Sequence, residues 1–526
     1  MSEALTTEWK PKAPITMITG AVMLATIVEV LNTSIANVAL KTIAGAFSVS
    51  NDESLWVVTL FLIASSILLP ATDWCSNVFG RKKFFLFCIA LFGISAFLCG
   101  IAPNYQILLF ARILQGLGGG CLVPLSQAIL LETWPKEEHG KAMAIFGLGI
   151  MVAPILGPII GGWLTTNCSW SWVFFISVPL CIAAFTMVAA FIEDPPYAKA
   201  RGWQKLDFTG FILLVIWIST FQVMIDNGQK NGWFGSDYIC KLGAISLVAF
   251  ILLLWRELTC KNPLLDLKIF KNWNFAWGTA VATVTFGVAY GSIAILPMFL
   301  QSLLGYNAYL SGLAAGPMGV GSLIGVLLTG ALAKTIDLRK QVALGIVAIA
   351  IGSYMFSNLN LSIALLNVIL PNIVLGFGMS TVVGPATTLI YSSVLNSEMT
   401  NASSLQNLVK NVGCAVGTSS VGVLVSMYSQ VHQNYLVGKM HILNPVFAER
   451  YNDMVTAFMQ FGGSITTAQA KAHAMLYKQL IQQSTLSAYM SSYKVYAVVI
   501  LLVLPLVFVI KRVRYDKAKA PTENKQ

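Results

Sequence analysis

A chain of 526 residues that is 56% hydrophobic and only 10% charged, with a mean hydropathy of +0.73, is too apolar for a water-soluble globular fold. Its net charge of +11 does not signal nucleic acid, because 23 of the 33 Lys and Arg residues fall in every second hydrophilic segment. That alternation marks the cytoplasmic loops of a multi-pass membrane protein.

Apolar runs of about 20 residues, each enough to cross a bilayer, recur near 15–40, 54–73, 84–102, 106–132, 141–165, 170–192, 206–226, 238–257, 273–303, 309–332, 341–357, 361–391, 403–427 and 487–511. The expected fold is an all-α integral membrane protein of fourteen spans, with both termini cytoplasmic. Its parts are an N-terminal segment 1–14, a six-helix unit 15–192, a helix pair 206–257, a second six-helix unit 273–511 and a basic tail 512–526. The first run lacks a small-residue cleavage site after a basic start, so it reads as a true span and not a signal peptide.

Helix 1 carries Glu29-Val-Leu-Asn32. Glu29, Asn32 and Ala36 share a face. A carboxylate at this depth is costly to ionise, which suits a proton carrier, with a structural hydrogen bond to another helix as the alternative. Helix 2 opens at Trp56 and closes at Asp73, followed by a turn holding Asn77, Gly80, Arg81 and Lys82. In helix 4, Arg112 lies one turn from Gln115 and Gly116, and after Pro124 the side chains of Ser126 and Gln127 add polar groups for a cavity. An arginine inside an apolar run must pair or face water.

Helix 5 has small residues at every fourth position, Gly149, Ala153, Gly157 and Gly161, with Gly162 next to the last. That face lets a neighbouring helix approach almost backbone to backbone. Pro154 and Pro158 each remove a helix hydrogen bond, so a bend is expected there. Helix 7 ends at Asp226, placed either as a solvated helix-end carboxylate or as a functional one. Helix 13 carries Gln406, Asn407 and Lys410. Between helices 13 and 14 an external segment, 428–483, contains the amphipathic stretch 468–481, suited to the membrane surface or a partner. The nine cysteines lack a C-x-x-C pair, and the histidines lack metal spacing, so no metal or cofactor is expected.

Gly157-Pro158-x-x-Gly161-Gly162 resembles the antiporter motif of the major facilitator superfamily's drug:proton exporters. Arg112-x-x-Gln115-Gly116 resembles its fourth-helix motif, and Gly80-Arg81-Lys82 part of its signature between helices 2 and 3. In that signature Asp73 replaces a glycine and Asn77 the aspartate. Asp226 and the run Asn262-Pro263-Leu-Leu-Asp266 are similar to EmrB/QacA exporters, which insert two helices between six-helix halves. The resemblance implies a proton-coupled efflux transporter of the inner membrane, not an enzyme, exporting small amphipathic compounds or drugs. A dedicated exporter of an endogenous metabolite such as a siderophore is the alternative, and a non-transporting sensor or scaffold a more distant one. Proton coupling is expected through Glu29, Arg112 and Asp226, and a cavity with Asn32, Trp56, Gln115, Gln127 and Asn407. The resemblance also implies a cytoplasmic gate at Asp73, Asn77, Gly80, Arg81 and Lys82. Partners would be the cargo, protons and membrane lipid, with an EmrA-like periplasmic adaptor and a TolC-type outer-membrane channel. The family's aspartate position in helix 1 is here Asn32, an amide that cannot cycle a proton, so the proton duty is expected to have moved to Glu29. Arg112 is expected to pair with a carboxylate.

Overall fold

The computed structural model describes residues 11–135, 138–194, 207–229, 231–260, 263–332, 335–361, 365–392, 394–395, 398–441, 443–460 and 464–512. Lys136, Pro195, Pro196, Asn262 and the tail beyond Arg512 lie outside them. The first half contains α1 (Ile15–Phe47), α2 (Asn51–Ser54), α3 (Trp56–Leu68), α4 (Ala71–Phe79), α5 (Arg81–Gly100), α6 (Tyr105–Gly119), α7 (Leu122–Thr133), α8 (His139–Asn167), α9 (Trp172–Phe175) and α10 (Ser177–Phe191). The inserted pair is α11 (Phe208–Gly228) and α12 (Asp237–Thr259). The second half contains α13 (Trp273–Ser302), α14 (Ala308–Ala315), α15 (Pro317–Leu332), α16 (Leu338–Phe356), α17 (Leu365–Tyr391), α18 (Met399–Val437), α19 (Pro445–Gln460) and α20 (Ile465–Val509).

Among the described residues, twelve helical stretches are long and apolar enough to cross a membrane, and the pair α3 and α4 makes a thirteenth. Helix α8, 29 residues long, stands where the fifth span was expected. The second span is therefore not one straight helix to Asp73. It bends by 58° between α3 and α4, where Pro70 caps α4 and cannot donate a backbone hydrogen bond.

Each half has its own apolar core. Phe85, Phe92, Leu125 and Phe146 lie in the first, and Phe299, Ile346, Tyr493 and Ile500 in the second. The first core runs on into Phe275, Ile390 and Leu405, where the basic-side ends of α13, α17 and α18 meet the first half. The inserted helices pack on each other through Trp217 and Phe250, ring centroids 4.8 Å apart. Asp207 caps α11 through the Gly210 N–H at 3.1 Å and takes the Arg256 guanidinium at 3.0 Å. Burial pushes the Asp207 carboxyl up, but these bonds outweigh it and hold the group below its ordinary range.

The last two spans depart from expectation. Helix α18 is 39 residues long and α20 is 45, about twice what a bilayer requires. The amphipathic stretch 468–481 is not a separate helix but the first part of α20. Its apolar residues Ala468, Ala472, Leu476 and Leu480 recur every fourth position and are buried, and the His473 ring lies tilted against that of Tyr451 of α19, centroids 4.7 Å apart. The apolar face is thus covered by the chain's own helices.

Candidate functional site

The polar centre of the first half is built on Arg112. Glycines place it: a Cβ at Gly116 would sit 2.5 Å from the Phe61 carbonyl oxygen, and Gly120 is closer still to that of Ser65. Only glycine lets α3 approach this near, and that approach sets Arg112, one turn earlier, against α3. Its side chain is 0% exposed. Nε donates to the Val57 carbonyl at 2.7 Å, and Nη1 donates to Asn32 Oδ1 at 2.8 Å and Gln115 Oε1 at 2.7 Å. The guanidinium carbon lies 4.4 Å from the Phe61 ring centroid and 5.6 Å from that of Phe174. Asn32 Nδ2 in turn donates to Ser177 Oγ at 3.0 Å.

The expected carboxylate partner is not what Arg112 has. Its hydrogen bonds go to neutral acceptors, because Asn32 stands where an acid would pair with it, and aromatic faces supply further electrostatic support. Asn32 and Gln115 are 0% exposed, so they hold the arginine and do not line an open cavity. Asn32 is also occupied at both ends of its amide and gives no hydrogen bond to Glu29.

Helix α8 runs unbroken through the small-residue face. Gly149 abuts Met23 and Ile27, Gly157 abuts Ser34 and Ile35, Gly161 abuts Ile35, and Ala153 is fully buried. The helix that approaches this face closely is α1. The helix also reaches the second half: a Cβ at Gly312 of α14 would lie 2.8 Å from the Ile159 nitrogen, and one at Gly147 would lie 3.1 Å from Val383 of α17. The side chain of Pro154 lies outside the described residues.

On the basic side the halves are joined. Gly80 connects α4 to α5 with φ 86°, a conformation that favours glycine. Arg81 follows, 6% exposed, ion-paired with Glu132 of α7, and its Nη2 donates to Thr400 Oγ1 of α18 at 3.1 Å. Arg81 is therefore a buried joint and not simply a loop cation. Asn77 donates to Asp73 at 3.1 Å within α4, and Lys82 bonds Asp194 and the Ala189 carbonyl, both at 2.7 Å. Next to this joint, Ser403 Oγ donates to the Pro124 carbonyl at 3.1 Å and Asn407 Nδ2 to Gln127 Oε1 at 3.0 Å. Gln127 and Asn407 are 5% and 2% exposed, so they close the basic-side floor between the halves.

Just beyond that floor, Lys410 Nζ donates to Asn407 Oδ1 at 2.5 Å and lies 5.5 Å from the Phe286 ring centroid. Glu29 of α1 and Tyr290 of α13 lie within electrostatic range of each other, and Glu29 within that of Lys410. No ion pair within 4 Å joins Glu29 to Lys410 among the described residues. Glu29 itself rests beside Gly119, where a Cβ would lie 3.3 Å from its Cγ. On the side opposite the basic loops, Trp56 is half-buried. There Asp226 of α11 accepts from Thr59 of α3 at 2.9 Å, from Ser419 of α18 at 3.1 Å, and from Gln222 at 3.1 Å. One carboxylate of the inserted pair thus links both halves.

Residues 22–418 match the Major Facilitator Superfamily. The chain belongs to that family. It is 34% identical to the "Multidrug export protein EmrB" of Haemophilus influenzae, over 86% of this chain and 88% of that protein. It is 34% identical to the "Probable multidrug resistance protein EmrY" of Escherichia coli K12, over 82% of this chain and 84% of that one. The proton:xylose symporter XylE superposes with a TM-score of 0.59 at 15% identity, covering 95% of this chain and 96% of XylE, a likeness of fold alone.

Within this facilitator fold, sequence reasoning found Arg112, Gln115 and the α8 face but missed Glu132, Thr400 and Asp194. Glu132 carried a usable signal: an acid at the end of an apolar run, near a basic turn, is a candidate pair for it. Thr400 and Ser177 carried none, since only the packed helices show that their hydroxyls face Arg81 and Asn32.

Proposed function

We propose that this facilitator is a proton-coupled exporter of small amphipathic compounds in the inner membrane, with its basic side and both termini cytoplasmic. The observation that carries the reading is the opposition of Glu29 and Lys410, one from each half, above a floor closed by Arg81, Gln127 and Asn407. A carrier that alternates access needs a titratable group in the space between its halves and a joint on each side that opens in turn. Glu29 fits the first requirement, because the usual acid position is the neutral Asn32, locked to Arg112. Arg81 with Thr400, and Asp226 with Thr59 and Ser419, fit the second.

The export names of the similar proteins favour outward movement of cargo. The α18 to α20 domain projects from the opposite side, where an EmrA-like adaptor feeding a TolC-type channel would sit. Purified protein in proteoliposomes tests the transport reading. An imposed pH gradient should drive a fluorescent cationic dye against its own gradient, with protons moving the opposite way. Dye movement that ignores the pH gradient would overturn it.

A further inference from the structure

One charged side chain has no place in the transport path. Lys494 of α20 is exposed, and Val498, Leu501 and Leu502 below it on the same face are 58%, 44% and 69% exposed. This stripe is the lipid-facing side of an apolar span, where a cation is rare and costly. The basic-side boundary of α20 is marked by Trp273, whose Nε1 donates to the Val509 carbonyl at 2.9 Å, and by Lys511 5.9 Å from the same ring centroid. Lys494 lies sixteen residues before Ile510, so its Cα stands about 24 Å above that boundary in a hydrocarbon layer about 30 Å thick. Side chains lean toward the helix N-terminus, which in α20 points away from the basic side. The four-carbon stem therefore carries the ammonium to the opposite headgroup level.

At that level the surface is shaped. Tyr428, Ser491, Lys494, Val495, Val498 and Val499 line a crevice of about 330 Å³ between α18 and α20. Its polar end is braced: His432 Nε2 lies 3.0 Å from Ser491 Oγ, and the His432 and Tyr428 rings are 6.3 Å apart. Its other end is made of valines. No ion pair of the described residues includes Lys494. One cation and hydroxyl groups above a valine floor complement a phosphate that carries an acyl chain.

We propose that this crevice binds the phosphodiester headgroup of an anionic phospholipid in the leaflet opposite the basic loops. Lys494 pairs with the phosphate, the Tyr428 and Ser491 hydroxyls donate to its oxygens, and an acyl chain lies along Val495, Val498 and Val499. The site favours phosphatidylglycerol over phosphatidylethanolamine, since the crevice lining offers no acid to receive an ethanolamine ammonium.

The test is native mass spectrometry of the full-length protein in detergent, titrated with each lipid. Lys494→Met should lose one tightly held phosphatidylglycerol, with its affinity reduced about fivefold, the contribution of one lysine near an anionic surface. Lys494→Arg should keep it, as should Lys478→Ala, which removes an exposed lysine outside the crevice. Ser491→Ala should weaken binding to a smaller extent, which keeps the proposal testable if the methionine variant folds poorly. Unchanged phosphatidylglycerol retention in both Lys494→Met and Ser491→Ala would overturn the site. Equal retention of phosphatidylethanolamine would overturn its anionic selectivity. Displacement of the lipid by chain-free glycerophosphoglycerol at similar concentration would show a soluble-phosphate site instead.

Discussion

Thr400→Val is the narrowest perturbation of the cytoplasmic joint. Arg81 is ion-paired with Glu132 within its own half and donates to Thr400 in the other. The substitution leaves the ion pair intact and keeps the shape of the side chain, but it removes the acceptor that crosses between halves. Thr400 is 3% exposed, so in the closed state Arg81 loses a buried, charge-assisted hydrogen bond between the halves. That costs about 1–3 kcal/mol. With the halves apart, water replaces the hydroxyl and the cost disappears. The closed-to-open ratio should therefore fall about 5- to 150-fold. Spin labels at Phe79→Cys and Leu395→Cys, both exposed on opposite halves near the joint, would report it by pulsed dipolar distances in a cysteine-free background. Thr400→Val should enrich the long-distance population, and Thr400→Ser should match the parent. Identical distance distributions for the valine variant and the parent would refute the assignment of Arg81 as the cross-half latch.

Other positions give equally direct expectations. Gly157→Leu drives a branched side chain into Ser34 and Ile35, an overpacking cost of about 1–3 kcal/mol; transport rates in proteoliposomes should fall while membrane yield persists. Arg112→Lys keeps the charge but loses the planar fork that reaches Val57, Asn32 and Gln115 together, so dye export should stay well below the parent rate. Asn32→Asp supplies Arg112 with a buried charge partner, and its thermal unfolding midpoint should rise while that of Asn32→Leu falls. Asp226→Ala removes the acceptor shared by Thr59 and Ser419, so labels on the external ends of α3 and α18 should move apart.

The sequence revealed most where a local pattern is itself the physical cause. A small residue at every fourth position of α8 makes close contact with α1 possible, and the structure places Gly149, Gly157 and Gly161 against Met23, Ser34 and Ile35. Arg112 in an apolar run demanded company, and Gln115 three residues later supplies some of it. The rest of its shell was hidden, because Val57, Asn32 and Ser177 come from three other helices and a backbone carbonyl leaves no mark in sequence. The sequence pattern assigns Gln127 and Asn407 to a cavity. Their role as a floor follows only from their bond to each other across 280 residues. The long α18 and α20 were cut short in the sequence reading, since polar residues end a hydropathy window even where the helix continues in water.

The most direct test of the account is the response of Glu29→Gln to a pH gradient. The amide keeps the shape of the side chain and its place beside Gly119 but cannot carry a proton. In proteoliposomes gradient-driven export should be lost, while exchange of labelled for unlabelled cargo at equal pH should continue. Continued pH-driven export by the Glu29→Gln protein would contradict it and move the proton to another group.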